Sequence, residues 1–343
     1  MRTMTAMMKS VLLSGAALAL CVGAAQAHDP SGKGGLPPEY VKRMIAGMKA
    51  LEAVDDSDQA KGIYSQLVQW TPEYSKLRVC FMGGSDEVNL KVAQIASKWT
   101  DDPKMGLKFA FTVNGKPRKC DPNGKPSQIR VSYDQPGYWS QLGQNGVVYT
   151  AQNEATLNLE GFDKATDMSV FDKPDIQGVI LHEFGHALGF MHEHQSPVAN
   201  CGNEFNWDFI VKYLSGPPNN WDKDTIAFNM APYVGEDLKL MLTDFDPKSI
   251  MLYYFPADYY LKGKDSSCYI PSANDVISET DRTTVEYMYP ADPGERQAHF
   301  QQRAEAFTKI WDKGQADGTT RDATIDFPTL YLKSPGVSAS DAD

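Results

Sequence analysis

An α+β fold is the prediction for this chain of 343 residues, and three observations carry it. Strand and helix patterns follow one another in the order strand–helix–strand–strand between residues 77 and 133, which implies a mixed sheet with a helix on one face. A longer helical pattern over residues 174–189 has a continuous apolar stripe and carries two histidines four positions apart. Beyond it the chain is loop-rich, as expected of a second, less regular part.

Each element has its own signal. Leu77 to Met82 (LRVCFM) reads as a strand closed by Gly83-Gly84. Val88, Val92, Ile95, Ala96 and Trp99 recur at helical spacing. Leu107 to Val113 and Ile129 to Tyr133 read as further strands, separated by a loop with Asn114-Gly115 and Asn123-Gly124. Thr156 to Leu159 reads as a short edge strand. Pro174 and Asp175 open the long helix, because proline suits the first helical turn and an acidic side chain favours the positive end of the helix dipole. Its stripe is Ile176, Val179, Ile180, Phe184, Ala187 and Leu188, and Gly189 ends it. Residues 196–250 contain one predicted short helix, Trp207 to Leu214, and residues 294–313 form another.

The ends of the chain are read separately. Arg2 and Lys9 precede an apolar run from Val11 to Val22, and Ala25-Gln26-Ala27 resembles a cleavage site, so residues 1–27 are expected to be a signal peptide. Export makes the expected location extracellular or periplasmic. Residues 28–74 are an N-terminal extension or propeptide. They include a helical stretch (Glu39 to Val54) and an acidic turn with Asp55, Asp56 and Asp58. Residues 75–290 form the main domain, and 291–343 a C-terminal helix with a disordered acidic tail. Without Arg2 and Lys9 the chain has 31 basic and 44 acidic residues, a net charge of −13. That balance argues against nucleic acid as a partner. No other stretch is apolar over enough residues for stable membrane insertion. Four cysteines remain: Cys80, Cys120, Cys201 and Cys268. An even number in an exported chain implies two disulfides. Three connectivities are open, of which pairing within each half is the simplest.

Four of the six histidines fall in one 13-residue window, which reads His182-Glu183-Phe184-Gly185-His186 and continues through Gly189 to His192 and His194. His182 and His186 lie about one helical turn apart, so both imidazoles project from one face. Glycine at 189 lets the chain bend and bring His192 to the same point. Three neutral imidazoles can hold one catalytic Zn2+ and leave a position for water. Glu183, next to the first ligand, can reach zinc-activated water as general base without ligating the metal. His194 is read as a neighbour of the site rather than a ligand.

This window, HExxHxxGxxH, resembles the metzincin zinc endopeptidases, and His192-Glu193-His194 makes it most similar to the astacin family. Ser249-Ile250-Met251-Leu252-Tyr253 is similar to that family's SxMxY turn, and residues 277–290 to its closing helix. The resemblance covers roughly residues 75–290. It implies a twisted mixed five-stranded sheet with two long helices, set above a C-terminal subdomain, with the active-site cleft between them. It also implies that Met251 lies beneath the metal. Tyr253 would be an additional, displaceable zinc ligand that swings away to stabilise the transition state; Tyr254 competes for that role, and register favours Tyr253. The chain departs from the family pattern in three places. Gln195-Ser196-Pro197 follows the last histidine, Leu252 replaces a histidine, and Gly185 replaces a bulkier residue.

The expected function is that of a secreted zinc metalloendopeptidase acting on proteins or peptides, the substrate lying extended along the edge strand near Thr156 to Leu159. A zinc-binding recognition module without catalysis is the alternative, and Glu183 argues against it, since holding zinc does not require that residue. No Gly-x-Ser-x-Gly motif supports a serine nucleophile.

Overall fold

The computed structural model describes residues 40–42, 67–217, 219–232 and 244–316, with side chains to residue 309. The signal segment, the acidic turn and the C-terminal tail lie outside the described residues, as does most of the helical stretch from Glu39 to Val54.

Seven strands occur among the described residues: β1 (Lys76–Phe81), β2 (Lys108–Ala110), β3 (Thr112–Val113), β4 (Lys116–Pro117), β5 (Ile129–Ser132), β6 (Tyr138–Ser140) and β7 (Leu157–Leu159). Five of them form one sheet in the order β2-β1-β5-β7-β6. All neighbours are parallel except β6, which runs antiparallel to β7. The sheet is therefore mixed and five-stranded, as the family resemblance implies.

Two sequence expectations shift. The segment Leu107 to Val113 is two strands, because the chain leaves the sheet at Phe111. That ring is buried among Phe81, Phe109 and Phe184. β3 then pairs with β4 through Asn114-Gly115, both at positive φ, the backbone a two-residue hairpin turn requires. The strand at Leu157–Leu159 is not the edge. It lies between β5 and β6, and all three of its residues are buried, as an interior strand requires. The edge is β6.

Helix α1 (Asp86–Ala96) starts at Ser85, whose hydroxyl accepts from the Val88 amide, and α2 (Pro174–Ala187) packs beside it. Sheet and helices share one apolar core that includes Leu77, Val79, Val92, Trp99, Val131, Leu157, Val179 and Phe184. Each large apolar side chain wholly buried there contributes ~1.5–3 kcal/mol. Residues 67–74 join this core: Trp70 is 1% exposed, and Tyr74 packs edge-on against it.

A second core lies beyond Gly189. Helix α3 (Trp207–Leu214) and helix α4 (Lys223–Met230) pack with Phe205, Tyr253, Phe255, Tyr259 and Tyr260. Helices α5 (Glu279–Met288) and α6 (Pro293–Ala316) follow. Among the described residues no helix is long and apolar enough to cross a membrane. The disulfides join Cys80 to Cys120 and Cys201 to Cys268, so each half has its own.

Candidate metal centre

Helix α2 carries the first two histidines and is held at both ends. Pro174 occupies its first turn, where a missing N–H costs nothing. At the other end Gly189 adopts φ +100°, and the last carbonyls find side-chain donors. Trp70 Nε1 donates to Ala187 O at 2.8 Å and Tyr289 Oη to Leu188 O at 2.6 Å. A third donor, Trp99 Nε1, reaches Leu181 O at 2.7 Å. Gly185 faces Met251 and Trp99; a β-carbon there would lie 2.5 Å from Met251 Sδ. The missing side chain at 185 lets the helix seat directly on Met251, which is itself buried.

The chain bends after Gly189 and returns His192 to the face of α2. His182 Nε2 lies 3.0 Å from His186 Nε2, which lies 3.0 Å from His192 Nε2. Each ring's other nitrogen is engaged: Nδ1 of His182 with Ile250 O (2.7 Å), of His186 with Phe190 O (2.8 Å), and of His192 with Gln195 Oε1 (3.1 Å). All three Nδ1 atoms therefore donate, and the three Nε2 lone pairs converge. Burial lowers all three pKa values, that of His186 to about 4, which keeps the rings neutral. Neutral imidazoles are the form that binds metal.

This donor set fits zinc. Among the described residues these three histidines are the one group of metal-ligand type, their ligand atoms all within 4.8 Å of one another. Lone pairs 3.0 Å apart repel unless a cation lies among them. Zinc bonds of ~2.0–2.1 Å in a tetrahedron space the donor nitrogens about 3.3 Å apart, close to the separation found.

Glu183 is 2% exposed, and its Oε2 has no hydrogen-bond partner among the described residues. Burial pushes its carboxyl well above the ordinary range. The Tyr253 ring centroid lies 3.9 Å from that of His192 and 5.6 Å from that of His182. Tyr253 is among the residues that line the cleft. Met251 packs against Gly185 of α2, in a turn whose backbone is fixed by Asp281. That carboxylate accepts from Ser249 Oγ (2.6 Å) and from the Ile250 amide (2.8 Å).

Two neighbours complete the surroundings of the site. His194 is 1% exposed, and its Nε2 meets Asn229 O at 3.1 Å. It stands outside the ligand cluster and helps to anchor α4. Glu193 accepts from the Asp246 amide at 2.9 Å, and burial raises its pKa to about 7.

The cleft runs between the two halves. Tyr138, Trp139, Ser140 and Leu142 line it on the sheet side; Gln195, Phe228, Asn229 and Tyr253 line the other. Neither β6 nor Gln195 stands out in the sequence. β6 is three residues long and carries no alternation, and Gln195 is visible only as a departure from a pattern.

Comparisons with known proteins agree with this geometry. The family model of the Astacin peptidases matches residues 128–257, which include the histidines, Glu183 and Tyr253. High choriolytic enzymes 1 and 2 of Oryzias latipes are 28% and 29% identical over 143 residues, 42% of this chain. The match spans about two fifths of each of those proteins (42% and 40%). The solved structure of myroilysin is 30% identical, with 65% of this chain and 96% of that one aligned at a TM-score of 0.51.

Proposed function

From the premise that the chain belongs to the astacin-like metzincins, we propose that it is an exported zinc metalloendopeptidase with Glu183 as its general base. The observation that carries this reading is the convergence of three imidazole Nε2 atoms beside a buried carboxylate oxygen without a partner among the described residues. His182, His186 and His192 would hold the metal. Zinc, when bound, supplies a Lewis acid for the scissile carbonyl and makes water nucleophilic at neutral pH.

The chain's own residues do the rest. Glu183 Oε2 takes a proton from the attacking water and passes it to the leaving amine. Tyr253, which would also serve as an additional, displaceable ligand, donates a hydrogen bond from its phenolic hydroxyl to the oxyanion that forms at the carbonyl. The substrate adds to β6 as an extended strand, since β6 ends the sheet and borders the cleft. The edge is thus Tyr138 to Ser140, in place of Thr156 to Leu159. Export is supported by the N-terminal sequence and by the two disulfides.

Peptide-library cleavage by the purified mature protein tests this. Cleavage should stop with a chelator and return with zinc. Unchanged cleavage in chelator would refute a metal-dependent mechanism.

A further inference from the structure

Two of the three histidines are oriented by backbone, the third by a side chain. Ile250 O and Phe190 O can only accept, so His182 and His186 must carry their protons on Nδ1. For His192 the partner is the amide of Gln195, and an amide side chain has both an accepting and a donating end. Its orientation is decided on the far side. Gln195 Nε2 lies 2.8 Å from Phe228 O and 3.0 Å from Ala231 O, and both oxygens only accept. The nitrogen must be there, and both of its hydrogens are used. Oε1 therefore faces His192 Nδ1 at 3.1 Å, Nδ1 carries the proton, and the lone pair falls on Nε2, the atom 3.0 Å from His186.

We propose that Gln195 is a positioning residue that sets the tautomer and ring orientation of His192 as a metal ligand. The inference rests on the reading of His192 as a ligand. His192 lies past Gly189, outside α2, where a side chain takes the place that backbone carbonyls take for His182 and His186. Gln195 is 1% exposed, so water does not compete for these bonds. The same amide fastens His192 to the end of α4, where Phe228 and Asn229 wall the cleft. A partner on the distal nitrogen of a ligating histidine fixes its tautomer and raises its basicity.

The test uses the full chain as wild type, Gln195→Leu and Gln195→Glu, with zinc affinity measured by chelator competition. Glutamate keeps an acceptor for Nδ1 and loses the donors to Phe228 and Ala231; leucine loses both. We expect zinc affinity to fall about 10–100-fold in Gln195→Leu and to recover substantially in Gln195→Glu. The His192 Nδ1–H of the zinc-loaded wild type should also give a slowly exchanging ring-proton signal in 15N-resolved NMR. Equal affinity in Gln195→Leu and wild type overturns the proposal. So does a Gln195→Glu variant as weak as Gln195→Leu, since the amide would then only brace α4. A wild type that binds no zinc overturns the metal-site reading itself, and the proposal with it.

Discussion

The two sides of the cleft hold their shares of the site by different means. On the sheet side, His182, Glu183 and His186 project from one buried helix. That helix is fixed by three aromatic side chains donating to its carbonyls. On the other side, His192 and Tyr253 sit in non-repetitive chain, placed by Gln195, a disulfide and a cluster of aromatic rings. The first side has precision through regularity: once α2 is seated, three functional groups follow from helical geometry. The second side must place each group by a separate contact. Damage should therefore be shared among groups on the sheet side and local on the other.

The largest test of that contrast is chemical. Glu183→Gln keeps the shape of the side chain and removes the proton acceptor, so kcat should fall about 10²–10⁴-fold with zinc still bound. Tyr253→Phe removes one donor to the oxyanion and should cost about 10²–10³-fold in kcat, with little change in zinc content. Kinetics with metal analysis on both variants separates the roles. Near wild-type turnover in Glu183→Gln would reject the mechanism. Loss of zinc in Tyr253→Phe would make the tyrosine a structural ligand.

Next comes the covalent support. Cys201 and Cys268 are both wholly buried, and their bridge closes a 67-residue separation across the half without a sheet. Replacing both by serine should cost ~2–5 kcal/mol in denaturant unfolding. The bridge from Cys80 to Cys120 ties β1 to the loop after β4, and β1 is also paired with β2 and β5. Its loss should cost less. The opposite ranking would contradict the claim that the second half depends on individual contacts.

The same contrast governs what the sequence makes legible. The helix α2, its histidines and Glu183 are legible because apolar residues at helical spacing and a fixed polar motif reinforce each other. Tyr253 and Met251 are reachable only through the family pattern. β6 is not legible: Tyr138-Trp139-Ser140 is too short for a period. Helix α4 is also hidden, since its buried residues Thr225, Ile226, Asn229 and Met230 are half polar. Asp222, which caps it by accepting from the Thr225 amide, is the signal present. Gln195 gives none, because its role depends on carbonyls more than thirty residues away.

A smaller effect probes how α2 meets the turn below it. Gly185→Ala would place a methyl group 2.5 Å from Met251 Sδ and 3.1 Å from Trp99 Cζ2. Alanine favours helix by ~1 kcal/mol, but overpacking costs ~1–3 kcal/mol, so a net loss of stability is expected. Because Gly185 directly precedes His186 on α2, zinc affinity should weaken in parallel. A stabilised variant with unchanged zinc binding would show that the seat is loose.

The smallest effect lies at the seam itself. Asp281 on α5 accepts from Ser249 and Ile250, in the turn that supplies the carbonyl partner of His182. Burial raises its carboxyl above the ordinary 3.8, outweighing hydrogen bonds from Ser249, Ile250 and Ser278 that act the other way. The folded chain thus binds this proton more tightly than the unfolded chain. The resulting stabilisation is complete below pH 3.8 and is lost as the pH rises through the raised folded value. Asp281→Asn cannot titrate. The stability of wild type relative to the variant should therefore decline as the pH rises above 3.8, with the zinc site contributing equally to both. A difference independent of pH would mean that the hydrogen bonds from the turn fully offset burial. The carboxylate would then be a fully hydrogen-bonded clasp rather than a strained one joining the regular half of the molecule to the irregular half.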